Sequence, residues 1–197
     1  AQQGTKYTDR KDKTVLEAGK LWHKVMRTNE EYGIHSEVLS FSPATDEKVE
    51  IMKVTFQNIS KSPMKLIPTI AIPIYGRSAD NLRDHRHVTS LLHRIEVKEE
   101  GIMVTPALSF DERGHKVNQL SYGVYARGEN GEKPIGFYPI LEDFIGEGGN
   151  LLWPKAVVTE EIPSVESGTK LEGYEAMGGI RFSEVVLEQD QAVTYYI

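Results

Sequence analysis

Short runs of alternating or wholly apolar residues, cut every few positions by turn formers, run through most of this chain and leave little room for helices. Period-two alternation places successive side chains on opposite faces, so each run reads as a strand. Glu47-Lys48-Val49-Glu50-Ile51 alternates, and apolar residues continue at 52, 54 and 56. The change of phase between Ile51 and Met52 predicts either a β-bulge or a strand covered on both faces. Ile95-Glu96-Val97 and Ile102-Met103-Val104 flank Lys98-Glu99-Glu100-Gly101, which predicts a hairpin. Residues 122–125 and 135–138 flank Asn130-Gly131, a favoured hairpin turn, and predict a second one. Residues 180–182 and 185–187 lead across Glu188-Gln189-Asp190-Gln191 into a terminal strand at 192–197. Helix is expected only at 139–145, about two turns with Pro139 near its start and Gly146 as its stop. The stretch 78–92 is ambiguous, because a cap at Ser78 or Asp80 is followed by weak helix formers.

Many short strands and few helices predict an all-β antiparallel sandwich. With no internal repeat and no low-complexity linker, residues 1–197 are expected to form a single domain. The chain is long enough to bury a sizeable core, and 39% hydrophobic with 26% charged residues is ordinary for a globular protein. No apolar run is long enough for a membrane-spanning helix. The start lacks both Met and a signal-peptide core, and the end stops inside an apparent strand. Both ends fit a domain excised from a longer chain. Absence of cysteine removes disulfides and thiolate chemistry and fits a cytoplasmic location. A net charge of −6 argues against nucleic acid as a partner.

The densest polar feature is Gly76-Arg77-Ser78-Ala79-Asp80-Asn81-Leu82-Arg83-Asp84-His85-Arg86-His87, set between two apolar stretches. Guanidinium forks grip carboxylates and phosphates, and carboxylates accept from sugar hydroxyls. Arg77, Arg83, Asp84, His85, Arg86 and His87 are therefore the candidate substrate- or partner-contacting residues. The plainer reading is a salt-bridge network within a long loop. His85 and His87, with His93 or His115, have the ligand type for a metal, but the motif is sparse and internally satisfied histidines are the simpler expectation. No metal and no cofactor are expected. Phe110-Asp111-Glu112-Arg113-Gly114-His115-Lys116 reads as an exposed turn with Gly114 in the left-handed region, rather than as a catalytic carboxylate pair. Gly146-Glu147-Gly148-Gly149-Asn150 is glycine-rich but lacks the Lys-Ser/Thr ending of a phosphate loop. Trp22 and Trp153 offer either sugar-stacking faces or ordinary packing.

Several stretches, taken in order, resemble one family. Residues 32–43 and then 49–60, with Val49-Glu50-Ile51 followed by Thr55-Phe56-Gln57-Asn58-Ile59-Ser60, look like consecutive strands of the N-terminal domain of glycoside hydrolase family 94 phosphorylases. These are the cellobiose-phosphorylase-like enzymes once grouped as glycosyltransferase family 36. Glu175-Ala176-Met177-Gly178-Gly179-Ile180, leading to Val185-Val186-Leu187-Glu188, resembles that domain's closing strands. Residues 83–92 resemble the large members acting on 1,2-β-oligoglucans. The resemblance spans residues 13–197.

It implies a β-supersandwich similar to galactose mutarotase, belonging to a parent enzyme that attacks β-glucosides with inorganic phosphate. Inversion would then give α-glucose 1-phosphate. The family's general acid lies in an (α/α)6 barrel that follows this domain. No residue here corresponds to it, so no catalytic residue is expected and the fragment alone should be inactive. The implied partners are that barrel, an oligosaccharide and a second subunit; no nucleic acid or membrane is expected. Two alternatives stand beside it: a mutarotase-like enzyme using His85, His87 and Glu175, and a carbohydrate-binding module using Trp22 or Trp153.

Overall fold

The computed structural model describes residues 12–76, 86–111, 114–159 and 161–197. In chain order the elements begin β1 (Lys13–Gly19), β2 (Trp22–Asn29), β3 (Ile34–Phe41), β4 (Ile51–Asn58), β5 (Met64–Leu66) and β6 (Thr69–Ile74). There follow α1 (Arg86–Leu91), β7 (His93–Val97), β8 (Gly101–Pro106), β9 (Leu108–Asp111), β10 (Gly114–Val117), β11 (Tyr122–Tyr125) and β12 (Arg127–Gly128). The last are β13 (Gly136–Ile140), α2 (Leu141–Ile145), α3 (Lys155–Val158), β14 (Lys170–Glu172), β15 (Ala176–Arg181), β16 (Val185–Leu187) and β17 (Ala192–Tyr196). All strand pairings among these elements are antiparallel, so the all-β expectation holds. Among the described residues no helix is long and apolar enough to cross a membrane.

The chain groups into two compact units. One is built on a six-stranded sheet in the order β1-β2-β3-β4-β17-β12, with the pair β16-β5 beside it in sequence membership. Ile51 faces Phe41 and Met52 faces Ser40 in an unbroken β3–β4 register, so the phase change produces no bulge. Residues on both faces of β4 are half-buried instead, which is the other outcome the pattern allowed.

In this unit Asn58, the asparagine of the Thr-Phe-Gln-Asn-Ile-Ser motif, is fully buried. Its Nδ2 donates to the carbonyls of Ser62 and Leu187, both at 2.8 Å. Its Oδ1 accepts from the Ser60 N–H at 2.8 Å and the Ser60 hydroxyl at 2.7 Å. One amide thus satisfies all its valences and ties the β4 exit to β16. A buried polar group is tolerated because each donor and acceptor is paired.

The other unit carries the sheets β11-β8-β7-β14 and β13-β15-β6 and the hairpin β9–β10. Ile95, Val97, Ile102 and Val104 are almost wholly buried, as the 95–104 hairpin pattern requires. Tyr138, Leu141, Phe144, Ala156 and Met177 form a core cluster, with Tyr138 and Phe144 edge-to-face at 5.6 Å. Here the Met177-Gly178-Gly179-Ile180 motif has a packing reason. A Cβ on Gly178 would sit 2.7 Å from Val124 Cβ, and one on Gly179 would sit 2.7 Å from both Cβ and O of Tyr138. The paired glycines let β15 lie against its neighbours where any side chain would collide. Helix α2 stops at Gly146, as expected; its φ of 71° with ψ of 166° is a conformation open mainly to glycine.

The hairpin expected across Asn130-Gly131 does not form. β11 pairs with β8, and β13 pairs with β15. The Asn-Gly turn is real but local: Gly131 N–H donates to the Gly128 carbonyl at 2.9 Å, and Gly131 has φ of 90°. Residues 126–133 belong to the six-stranded unit, whereas both flanking strands belong to the other. A turn signal fixes a local reversal but not the strands that pair around it.

Candidate functional site

The polar run leaves one apolar strand and returns into another, and its described flanks meet at a crevice. Arg77, Arg83, Asp84 and His85 lie outside the described residues; Arg86 and His87 open α1. The crevice is lined by the end of β6 (Pro73, Ile74) with Tyr75, by Thr89 and Ser90 of α1, by His93 opening β7, and by Glu175. Its interior offers about 10 Å³, room for one water molecule. A hexose does not fit there.

His93 is the chemical centre of this crevice. It is 4% exposed, and its ring nitrogen Nδ1 lies 3.1 Å from the Tyr174 carbonyl. A carbonyl only accepts, so Nδ1 carries the proton and Nε2 presents a lone pair. Nε2 is buried and meets no hydrogen-bond partner among the described residues. Gly76 lies beside it, where an added Cβ would stand 3.1 Å from Nε2. Burial pushes the His93 pKa below the usual imidazole value, while the hydrogen bond to Tyr174 and the Glu175 carboxylate oppose that shift. Burial thus favours the neutral form of the His93 ring.

The geometry gathers part of what the residues suggested. Glu175, a candidate base in the mutarotase reading, does line a crevice with a histidine, but the histidine is His93. The sequence presents His93 only as a possible metal ligand, and its position at the mouth of β7 has no local signal. Among the described residues no group of three His, Asp or Glu side chains is placed to hold a metal ion. Gly114 has φ of 119° at the β9–β10 turn, as expected of a left-handed glycine; Glu112 and Arg113 of that turn lie outside the described residues. Trp153 is half-buried, its backbone N–H held by Asn150. Trp22 opens β2 and is 39% exposed.

No curated protein matches the chain. The two stretches first noted as family-like, residues 32–43 and 49–60, contain β3 and β4, which pair over their full length. The closing stretches contain β15, β16 and β17, whose partners are β6 with β13, β5, and β4 with β12. Asn58 in the first of these motifs is fully buried and hydrogen-bonded, and Gly178 and Gly179 in the later one are closely packed. The model of Glycosyl hydrolase 94, supersandwich domain, matches residues 23–196, which run through both compact units. The chain belongs to the glycosyl hydrolase 94 supersandwich family and has its all-β fold.

Proposed function

We propose that this chain is the non-catalytic N-terminal domain of a glycoside phosphorylase, whose parent cleaves β-glucosides with inorganic phosphate and releases α-glucose 1-phosphate with inversion. The family match over residues 23–196 carries this reading. The domain packs on an (α/α)6 catalytic barrel, takes part in a homodimer contact, and lends the 77–87 segment to the rim of the substrate site, all in the cytoplasm. Support for the rim role is the flanking geometry: Tyr75 and α1, which bracket the segment, line the same crevice.

Arginines at such a rim suit phosphate or a partner's carboxylates, because the guanidinium presents paired donors in a plane. The test is a triple variant of the full-length parent, Arg83→Ala, His85→Ala and Arg86→Ala together. We expect a raised KM for phosphate or glucoside, or a changed oligomer size. Unchanged kinetics with unchanged size would refute the rim role.

A further inference from the structure

The six-stranded unit carries a groove of about 350 Å³ at the β1–β2 turn. That volume lies in the range of small-molecule sites. It is lined by Leu21, Trp22, His23, Phe41, Ser42 and Glu50. Trp22 and Phe41 are directly paired across β2 and β3, so both stand on one face. Gly19 pairs with Trp22 on the other side, and its missing side chain is what admits the indole: a Cβ there would collide with Nε1 and Cε2 of Trp22. The ring rests on bare backbone and keeps 39% of its surface open. At the rim, Leu21 has φ of 64°, a left-handed conformation that non-glycine residues rarely adopt. Its carbonyl receives the Ser42 N–H at 3.0 Å, which pins the turn against the end of β3.

We propose that this groove is a surface-binding site for a neutral pyranoside, a β-linked gluco-oligosaccharide docking one ring on the Trp22 indole. A sugar ring presents an apolar face of C–H groups to an aromatic plane and a rim of hydroxyls to acceptors. Glu50, which has no ion-pair partner among the described residues, and the Ser42 hydroxyl supply those acceptors. The same carboxylate repels phosphates and acidic ligands, which leaves a neutral polyol as the fitting class. The choice of a β-glucoside rests on the phosphorylase reading; the indole platform does not. The site would hold an oligomeric substrate on the domain at a distance in sequence from the 77–87 segment.

The test uses this chain and cellobiose, followed by the two tryptophan indole N–H resonances and by calorimetry. We expect the Trp22 resonance to move saturably while that of Trp153 stays in place. Trp22→Ala should weaken binding at least about tenfold, the equivalent of a single aromatic contact. Gly19→Ala, which displaces the indole but keeps it, should weaken binding too, and Glu50→Gln should do so with the platform intact. Far-ultraviolet circular dichroism checks that each variant is folded. An unmoved Trp22 resonance, movement at Trp153 instead, or unchanged affinity in Glu50→Gln and Trp22→Ala would overturn the proposal. So would a preference for arginine amide over cellobiose, since an indole beside a carboxylate also suits a cation. Failure here leaves parent kinetics untouched, whereas failure of the phosphorylase reading appears as a parent without phosphorolysis.

Discussion

Replacing Asn58 should cost the six-stranded unit a substantial part of its stability. The side chain makes four hydrogen bonds, two given to the carbonyls of Ser62 and Leu187 and two taken from Ser60. Each is worth about 0.5–1.5 kcal/mol net. Water can reach the Ser60 end, which is exposed in its bond to Ser62, but the Leu187 carbonyl bond is buried. Discounting the reachable end leaves roughly 3 kcal/mol for Asn58→Ala, against a typical total of about 5–15 kcal/mol. For a chain of this size that lowers Tm by about 6–12 °C.

Asn58→Asp sharpens the reasoning. It keeps an acceptor for Ser60 but turns a second oxygen on two carbonyls that need a donor. At pH 7 it should lose at least as much as Asn58→Ala, and part should return below about pH 4 as the carboxyl gains a proton. Urea titration at both pH values, with Tm from circular dichroism, makes the comparison. A loss under about 1 kcal/mol for Asn58→Ala, or a milder effect of Asn58→Asp at pH 7, would refute the argument.

Three further outcomes follow from the same structure. Gly179→Ala drives a methyl onto the Tyr138 backbone at 2.7 Å and should destabilise by about 1–3 kcal/mol, read by thermal unfolding; an unchanged Tm contradicts the packing. Burial favours the neutral form of His93, so its folded pKa lies below the unfolded value of about 6.5. Its contribution is complete above that pH and is lost as pH falls through the depressed folded value, because the unfolded chain then binds the proton more readily. Unfolding free energies of wild type and His93→Gln, compared between neutral and mildly acidic pH, should converge on acidification; parallel curves would contradict it. Leu21→Gly relieves a left-handed conformation worth roughly 1–2 kcal/mol and gives back part of it as unfolded-chain entropy. Leu21 is 55% exposed and loses little burial, so a net gain of about 0.5 kcal/mol should appear as a higher urea midpoint.

The family assignment rested on residues whose reasons the sequence did not display. Asn58 reads as a polar break at the end of a strand, and Gly178-Gly179 as a flexible interruption. In the fold the first is a fully satisfied hydrogen-bond centre and the second a contact surface. The candidate site was less legible. The polar run was evident, yet the crevice lined by its described flanks holds His93, unremarkable in sequence and distinctive because Nδ1 donates to the Tyr174 carbonyl while Nε2 is buried without a partner among the described residues.

What the sequence determined by itself was local. Period-two alternation and apolar runs settled that residues 51–56, 95–97 and 102–104 lie in strands, because side-chain direction depends only on neighbouring dihedrals. Gly146 and Gly114 were readable for the same reason, since a left-handed φ costs a Cβ wherever it occurs. Partnership was decided by the tertiary structure. β4 pairs with β17, and Thr55 meets Thr194 at 3.0 Å across 139 positions, while the adjacent candidates around Asn130-Gly131 part company. Strand edges are chemically alike, and only the burial of a shared apolar face selects among them.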